Sequence, residues 1–358
     1  MSQVAINLAV FCIFFVYLIN AQVCTDESCS NTEAMIPKGA NAKGKPMEAE
    51  INKCHDRHKQ CETFKNQGEC EKNPGWMIVN CPVSCNSCHL LDPKVRCNRN
   101  RLNITDQPIL KPGDMNRIFE EIIDKYSDQY TIDVVSRDPW IITFDNFLSD
   151  SEVDYLIAES EGRWERSTDT GERNAYGETG RVVSQSRTSS NAWCRHDCES
   201  NPNVASIITK IEDITQVPRG NYESFQVLRY EIGQKYNTHH DASVIQNNLA
   251  CGLRILTFFL YLSDVEQGGE TGFPNLKVAV KPMRGKGLLW ANTLNMNPDQ
   301  PDQRTMHEAR PVIQGVKYAA NTWIHMYDFA IPNLHGCTGK LLLLYIYFFS
   351  SLTILDHN

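Results

Sequence analysis

The chain has no excess of positive charge, no glycine-rich repeat and too few apolar residues overall for a multi-span membrane protein. Its 358 residues contain 35 Lys and Arg against 43 Asp and Glu, a net charge of -8. A protein with this net negative charge does not have the basic surface that nucleic-acid-binding proteins use, so we expect no nucleic-acid partner. Only 20 residues are Gly and 16 are Pro, which excludes a collagen-like chain, and 41% hydrophobic residues exclude a disordered one.

Cysteine is sparse over most of the chain and concentrated near its start. Residues 4–19 are uncharged and almost entirely apolar, which predicts a signal peptide over residues 1–21, with a signal anchor as the alternative. Residues 22–53 are polar and read as a linker. A cysteine cluster behind such a leader is typical of an oxidising compartment. We therefore expect a protein of the secretory pathway, in the endoplasmic reticulum lumen or secreted.

A second apolar run lies within the last segment, 333–358. Residues 341–355 carry no charge but are short for a membrane span, and they lack the polar spacer of a lipid-anchor signal. An anchor, a short span, a helix packed on the preceding domain and an error in the gene model all stay open. Membrane association is thus possible through either end of the chain, and the oligomeric state is open.

Six cysteines fall within residues 54–88. A piece this small cannot bury a sufficient core, and three disulfides of about 2–4 kcal/mol each would supply the missing stability. The gap between Cys85 and Cys88 also suits zinc, but no second short pair accompanies it, so disulfides are favoured. The spacing of the last three cysteines favours a short helix. The six are Cys54, Cys61, Cys70, Cys81, Cys85 and Cys88.

Together with Gly68-Glu69, Asn73-Pro74 and Trp76-Met77, these cysteines resemble the ShK-type module, which is named for a sea-anemone toxin. The toxin relatives block potassium channels through a Lys-Tyr pair, and the matching positions here hold Gly75 and Trp76. We therefore expect a docking or stability module. The resemblance implies the disulfides Cys54–Cys88, Cys61–Cys81 and Cys70–Cys85.

The remaining cysteines follow no motif. Cys194 and Cys198 are close enough in sequence to form a fourth pair, and Cys24 with Cys29 is a further option. An odd number of thiols remains once the leader is removed, and Cys251, at the head of an apolar run, is expected to be a buried free thiol. Asn103 begins an Asn-Ile-Thr sequon and is a candidate glycosylation site on a surface loop.

Beyond a connecting segment, 89–138, the sequence follows an α+β pattern. Apolar periodicity predicts helices over 149–162, with Ser149 as the cap, and over 201–214. Apolar runs rich in Val, Ile, Phe and Tyr then recur between turn residues, which favours short strands in a sandwich or barrel. These runs are 225–230, 253–262, 276–280, 287–290 and 316–326.

The densest group of candidate metal ligands is His239-His240-Asp241. Alternate side chains of a strand share a face, so His239 and Asp241 can bind one cation while His240 points away. Two imidazoles and one carboxylate are the ligands of non-haem Fe(II) oxygenases, and His307 is the candidate third ligand.

The surroundings of these ligands strengthen the prediction. Lys317 lies ten residues after His307. With residues 225–230, 260–265 and Gly268-Gly269-Glu270-Thr271, this spacing resembles the prolyl 4-hydroxylase branch of the 2-oxoglutarate- and Fe(II)-dependent dioxygenases. The dioxygenase domain is expected over residues 139–332. The resemblance implies an α+β fold, a double-stranded β-helix (jelly-roll) with flanking helices, preceded by the small ShK-like module.

The family resemblance also implies the roles of individual residues. His239, Asp241 and His307 would hold Fe(II). Lys317 would bind the far carboxylate of 2-oxoglutarate, with Tyr230 and Thr257 donating hydrogen bonds, and O2 and ascorbate complete the expected cofactors. Residues 187–190 resemble the mobile substrate loop of the family. The positions matching those that hold the proline segment are Tyr236, Arg254, Trp323 and His325.

The predicted function is that of a peptidyl-prolyl 4-hydroxylase of the procollagen-proline type, which converts proline in a protein to 4-hydroxyproline and releases succinate and CO2. A dioxygenase acting on another residue or a small molecule is the first alternative. The second is a non-catalytic secreted binding protein on the same scaffold. The intact His239, Asp241, His307 and Lys317 count against this second alternative.

Overall fold

The computed structural model describes residues 53–339. The predicted signal peptide, residues 22–52 of the linker, the Cys24–Cys29 pair and residues 340–358 of the tail lie outside the described residues. Within residues 53–339, no helix is both long enough and apolar enough to cross a membrane.

Eighteen strands form the β-structure of the described residues. They are β1 (Thr131–Arg137), β2 (Trp140–Asp145), β3 (Glu165–Arg166), β4 (Asp169–Arg173), β5 (Thr179–Val182), β6 (Ser190–Trp193), β7 (Gln226–Tyr230), β8 (Tyr236–His239), β9 (Arg254–Tyr261), β10 (Gln267–Gly268), β11 (Thr271–Phe273), β12 (Val278–Val280), β13 (Gly287–Ala291), β14 (Thr293–Leu294), β15 (Asn297–Pro301), β16 (His307–Ala309), β17 (Val312–Gln314) and β18 (Lys317–His325).

Ten α-helices accompany these strands in residues 53–339. They are α1 (Cys61–Asn66), α2 (Glu69–Lys72), α3 (Pro74–Asn80), α4 (Pro93–Arg96), α5 (Arg99–Leu102), α6 (Asp114–Tyr126), α7 (Asp150–Ser160), α8 (Asp197–Ser200), α9 (Pro202–Thr215) and α10 (Ala330–Leu334).

Two antiparallel sheets form the core. The larger has eight strands in the order β1-β2-β13-β9-β18-β7-β6-β3, and the smaller has four in the order β12-β11-β16-β8. Apolar side chains of both sheets pack into one buried cluster, which includes Phe273 of the small sheet and Phe259 and Trp290 of the large one. The predicted α+β class with a double-stranded β-helix is confirmed.

Strand β9 shows how the sequence divides the core into two layers. Its side chains alternate between faces, as in any strand. Leu256, Phe258 and Leu260 point to one cluster, which also contains the apolar faces of α6, α7 and α9. Phe259 and Tyr261 point to the other cluster, between the sheets. The near-continuous apolar run of β9 is therefore typical of a strand buried on both faces.

The predicted helix over 149–162 is present as α7. Ser149 caps it in a capping box with Glu152: the Glu152 amide donates to Ser149 Oγ (3.3 Å), and the Ser149 amide donates to the Glu152 carboxylate (2.8 Å). Lys210 of α9 donates to the same carboxylate (2.7 Å), so the cap also joins the two helices that cover the large sheet.

The six-cysteine module, residues 54–88, contains the three disulfides implied by its family resemblance, Cys54–Cys88, Cys61–Cys81 and Cys70–Cys85. The pair Cys194–Cys198 is also present, and Cys251 is a buried free thiol. The predicted helix over Cys81 to Cys88 is wrong. This stretch is a series of turns with Asn86 at φ 52°, a left-handed conformation that ends helical structure.

The predicted boundary at Pro139 falls inside the large sheet, because β1 pairs with β2 across it. Helix α6 also contributes Ile118 and Phe119 to the main core. The disulfide Cys97–Cys337, which no local spacing indicates, joins the segment after the module to the chain after α10. Residues assigned to a connecting segment are therefore part of the catalytic fold.

The Cys97–Cys337 disulfide closes a loop of 240 residues, whereas Cys194–Cys198 closes one of 4. On the loop-entropy model we expect Cys97→Ala/Cys337→Ala to lower the free energy of unfolding by about 5 kcal/mol and Cys194→Ala/Cys198→Ala by about 2 kcal/mol. Chemical denaturation of both double variants measures this difference. Equal losses of unfolding free energy in the two double variants would show that the length of the closed loop does not determine the stabilisation.

Candidate active site

Two of the three predicted metal ligands lie on neighbouring strands of the small sheet, and the third follows one of these strands. Strands β8 and β16 pair antiparallel, with His239 directly opposite His307. Asp241 follows β8 two residues after His239, so its carboxylate returns to the same side. Strand pairing therefore brings together residues that are far apart in sequence.

The ligand atoms of these residues converge. His239 Nε2 lies 3.9 Å from Asp241 Oδ1, and His307 Nε2 lies 3.6 Å from Asp241 Oδ2. All three ligand atoms lie within 4.8 Å of one another, and the part of the chain that the structure describes contains this one such cluster. Two imidazoles and one carboxylate on one face are the donor set of non-haem Fe(II) oxygenases. The predicted metal site is confirmed.

The backbone sets the tautomer of both histidines. His239 Nδ1 lies 2.9 Å from the Asn237 carbonyl, and His307 Nδ1 lies 3.0 Å from the Thr305 carbonyl. A carbonyl can only accept, so each Nδ1 carries the proton and each Nε2 keeps its lone pair for a metal. The residues present therefore fit a divalent iron ion.

The charges at the site favour the metal-binding protonation states. Burial and the neighbouring His307 lower the pKa of His239 to about 3, so its imidazole is neutral. Burial alone would raise the pKa of Asp241, but His307, His239 and Arg254 lower it to about 2. Asp241 is therefore ionised at neutral pH.

Thr257 holds the Asp241 carboxylate in place. Its hydroxyl donates to Asp241 Oδ2 (2.7 Å), and Asn292 Nδ2 donates to the same hydroxyl (2.8 Å). A hydroxyl has one proton, so Thr257 does not also donate to a second acceptor in this arrangement. Its predicted bond to 2-oxoglutarate stays a prediction, and the observed role is to orient a metal ligand.

His240 points away from the metal site, as its position on the strand predicts. Its Nε2 lies 2.9 Å from the Asp302 carbonyl, and its Nδ1 accepts from the Ala242 amide (2.9 Å). The adjacent histidines therefore have separate roles, one at the metal site and one in the backbone structure.

An open cavity of about 40 Å³ adjoins the metal site. Besides the metal ligands, Arg187, Glu308 and Asn321 contribute polar groups, whereas most of the exposed wall area is apolar. The lining residues include Leu228, Tyr230, Tyr236, Thr257, Phe259, Thr271, Trp290 and Trp323. Residues 187–190, predicted to resemble a mobile loop, lead directly into β6 in the structure.

Lys317 lies close to Tyr230 and Phe259, two residues that line this cavity. It is fully buried, and Nζ donates to the Gly269 carbonyl (2.7 Å). Its Nζ lies 5.3–5.5 Å from the ring centres of Phe259, Tyr230 and Tyr261. Among the described residues it forms no ion pair. Glu270 raises the pKa of this ammonium but does not reach ion-pair distance. A buried ammonium without a carboxylate in contact is costly, so the site fits an anionic ligand such as a dicarboxylate.

The four predicted substrate residues fall into two groups. Tyr236 and Trp323 line the cavity, and the Tyr236 ring stacks on His239 at 3.6 Å between centroids. Arg254 and His325 lie behind the cavity wall, where Arg254 stacks on the Trp323 ring at 3.8 Å. Contact of these four residues with a peptide stays a prediction.

Glu223 is a residue that the sequence patterns did not single out. Its Oε1 accepts from Arg254 Nε (2.6 Å) and lies 3.0 Å from His325 Nε2. Burial lowers the pKa of His325, but Cys251 and Glu223 outweigh it and raise the pKa to about 9. A signal was present, because two buried cations on otherwise apolar strands require a nearby acid.

Comparison with known proteins agrees with this geometry. Residues 225–325 match the 2OG-Fe(II) oxygenase superfamily, and residues 53–88 match the ShK domain-like family. Probable prolyl 4-hydroxylase 7 of Arabidopsis thaliana is 35% identical over 235 residues, which cover 60% of this chain and 72% of that protein. Prolyl 4-hydroxylase 2 of the same plant is 36% identical, with coverage of 57% and 74%. The chain belongs to the prolyl 4-hydroxylase family.

A solved structure is also similar to this family member. It is the viral collagen prolyl hydroxylase of Paramecium Bursaria Chlorella virus-1 in its 2OG complex, which is 27% identical over 52% of this chain and 95% of that one, with a TM-score of 0.40. The family assignment itself depends on the plant relatives. As a 2-oxoglutarate- and Fe(II)-dependent dioxygenase, the protein uses Fe(II), 2-oxoglutarate and O2.

The metal site can be tested with adjacent histidines. We expect His239→Ala to abolish turnover and stoichiometric Fe(II) binding, because one of three ligands is lost. His240→Ala is the matched control, since it removes the same side chain from the opposite face, and it should retain iron. Metal analysis after anaerobic Fe(II) loading and gel filtration measures both. Full iron content in His239→Ala would refute the assignment.

The pH dependence of 2-oxoglutarate binding tests Lys317. Burial lowers the pKa of its free ammonium to about 7, and a bound carboxylate will raise it. Between these two values binding takes up a proton, so the KM for 2-oxoglutarate should rise about tenfold per pH unit. Lys317→Ala should raise this KM at every pH and abolish turnover at ordinary cosubstrate concentrations.

Lys317→Arg is the control, because a guanidinium keeps its charge across this range and should flatten the profile. Initial rates of succinate release, measured at several 2-oxoglutarate concentrations across pH 6.5–9, give the KM values for both proteins. Equal slopes for the wild-type protein and Lys317→Arg would show that another group titrates.

Proposed function

We propose that this protein is a peptidyl-prolyl 4-hydroxylase. One O2 is consumed in the reaction. One of its oxygen atoms enters succinate, which forms with CO2 from 2-oxoglutarate, and the other becomes the 4-hydroxyl group of a proline within a peptide chain. Membership of the prolyl 4-hydroxylase family supports this reaction.

The proposal depends on the metal ligands at the cavity together with a buried ammonium next to two residues of the cavity wall. The metal ligands His239, Asp241 and His307 line it, and the buried ammonium of Lys317 lies behind Tyr230 and Phe259. We propose that 2-oxoglutarate binds with one end at the metal and its far carboxylate at Lys317. A binding scaffold without turnover has no need for this combination.

The residues of the chain have distinct tasks in this reaction. Bound Fe(II) supplies the activation of O2 that oxidative decarboxylation requires. Lys317 fixes the far carboxylate of 2-oxoglutarate through an ion pair in an apolar setting. The Asn237 and Thr305 carbonyls hold the two imidazoles in their metal-binding tautomers, and Thr257 holds Asp241.

The aromatic wall provides the surface for the proline ring. Tyr236 is held between the His239 ring and the Arg187 guanidinium, which lies 4.7 Å from the Tyr236 ring centre. Trp323 is backed by Arg254, which Glu223 in turn holds by an ion pair of 2.6 Å. Rigid aromatic rings bind an apolar pyrrolidine ring with little loss of conformational entropy. These contacts favour a peptidyl proline over a charged residue.

We also propose that the protein works in the secretory pathway, with ascorbate as its reductant. Five disulfides among the described residues support an oxidising compartment. Asn103 is exposed and belongs to a sequon, so it is accessible for glycosylation there. An endoplasmic reticulum lumenal, a secreted and a membrane-anchored form are all compatible with these observations.

The test is the reaction itself. The purified mature chain is incubated with Fe(II), 2-oxoglutarate and ascorbate, with and without a proline-rich peptide. We expect peptide-dependent succinate release and a gain of one oxygen atom on proline in the mass spectrum. Lys317→Ala is the inactive control, because it retains the metal ligands but loses the cosubstrate site.

Other outcomes would redirect the proposal. Succinate release without peptide oxidation would retain the dioxygenase and assign it a different substrate. Absence of both iron binding and succinate release would favour the non-catalytic scaffold. Omission of ascorbate from the same assay shows whether turnover depends on it.

A further inference from the structure

The β4–β5 hairpin is the part of the dioxygenase domain least able to stay folded alone. It forms its own two-stranded sheet, separate from the two core sheets, and most of its residues are exposed. Two-stranded hairpins of this kind are marginally stable without outside contacts. The contacts at its tip therefore decide its position.

The six-cysteine module supplies one of those contacts. Tyr176, at the hairpin tip, lies under the Arg57 guanidinium, which is 4.2 Å from the ring centre. Arg57 Nη2 also donates to the Tyr176 hydroxyl (2.7 Å). Arg57 is tied into the module at the same time, because its Nη1 donates to the Val79 carbonyl.

Two further segments hold the same tip. Arg96, fully buried, donates to the Tyr176 carbonyl (2.5 Å) and through its other nitrogen to the Leu90 and Leu91 carbonyls. Thr179, where β5 begins, donates its amide to the Gly339 carbonyl (2.8 Å). The tip is therefore bound by the module, by the segment that follows it and by the chain after α10.

The module is itself fixed to the dioxygenase domain. Helix α3 approaches the chain after α10 so closely that a β-carbon on Gly75 would lie 2.7 Å from Gly336 N and 2.8 Å from the Leu334 carbonyl oxygen. Gly75 is one of the two positions that match the channel-blocking pair of toxin relatives. Here Gly75 packs against the chain after α10 within the same molecule. Cys337, which forms the disulfide with Cys97, is the residue directly after Gly336.

The other end of the hairpin reaches the active site. Asp169, at its base, accepts from Ser186 (2.7 Å) and from Ser184. The Ser186 carbonyl accepts from the Asn237 amide (2.7 Å) in β8, and Arg187 forms a β-bridge with Tyr236. These contacts connect the hairpin to the wall of the cavity beside His239.

We propose that the six-cysteine module positions the β4–β5 hairpin for peptide binding. Arg57 and Arg96 hold Tyr176, and the anchored hairpin fixes residues 183–187 at the cavity rim, where Arg187 packs on Tyr236. The module thus acts on peptide affinity and leaves the metal and 2-oxoglutarate sites untouched. This inference rests on the proposed function, because the peptide is the substrate of that reaction.

The test uses Arg57→Ala and Tyr176→Ala in the full chain. Lys59→Ala is the matched control, since it removes an exposed cation two residues from Arg57. We expect both test variants to raise the KM for peptide at least fivefold, with kcat and the KM for 2-oxoglutarate unchanged. Arg57→Lys, which keeps the charge, should recover part of the loss.

A second measurement does not depend on activity. Arg173 and Arg181 are exposed trypsin sites within the hairpin, and cleavage there requires the hairpin to open. Limited proteolysis with mass analysis should show cleavage at these two sites at least fivefold faster in Arg57→Ala and Tyr176→Ala than in Lys59→Ala. Tyr176→Ala lies outside the module, so it separates hairpin release from any unfolding of the module.

Two results would overturn the inference. One is equal cleavage at Arg173 and Arg181 in all three variants. The other is faster cleavage with an unchanged KM for peptide. If no proline-containing peptide is hydroxylated, the proteolysis result alone decides whether the module holds the hairpin, and the failure is that of the proposed function.

Discussion

The pairing of β8 with β16 is the interaction on which the active site depends. It places His239 opposite His307, and the chain then returns Asp241 to the same side. Both strands are short and lie in the smaller sheet. The opposite wall of the cavity belongs to the large sheet, so contacts between the two sheets must fix the metal ligands relative to that wall. Thr257 on β9 makes that connection, because it spans from Asn292 to Asp241.

Buried charge is used in two opposite ways around this site. Behind Trp323, Glu223 forms ion pairs with Arg254 and His325, so these buried charges have their partners within the protein. Lys317 is buried without such a partner among the described residues and is therefore incomplete until an anion binds. The first arrangement stiffens the wall that faces the substrate, whereas the second creates affinity for the cosubstrate. Burial of charge therefore stabilises the wall behind Trp323, whereas at Lys317 it favours the binding of an anion.

Much of this could be predicted because the informative patterns are local. His239 and Asp241 share a strand face, Lys317 follows His307 at a family spacing, and apolar runs mark the central strands. Glu223 and the partner of Cys97 could not be found in this way, because each interaction joins distant segments whose proximity only the folded sheets establish. Thr257 was placed in the correct cavity, but which acceptor its single proton would meet depends on side-chain geometry.

The Cys97–Cys337 disulfide also gives the dioxygenase domain an unusual topology. The two α-carbons lie 5.4 Å apart, so the chain enters and leaves the fold at nearly the same point. The chain from Cys97 to Cys337 is covalently a ring, to which the six-cysteine module and residues 338–339 are attached at the two bonded cysteines' ends. The module before Cys97 and residues 338–339 after Cys337 therefore leave the ring at neighbouring points, next to the hairpin tip at Tyr176.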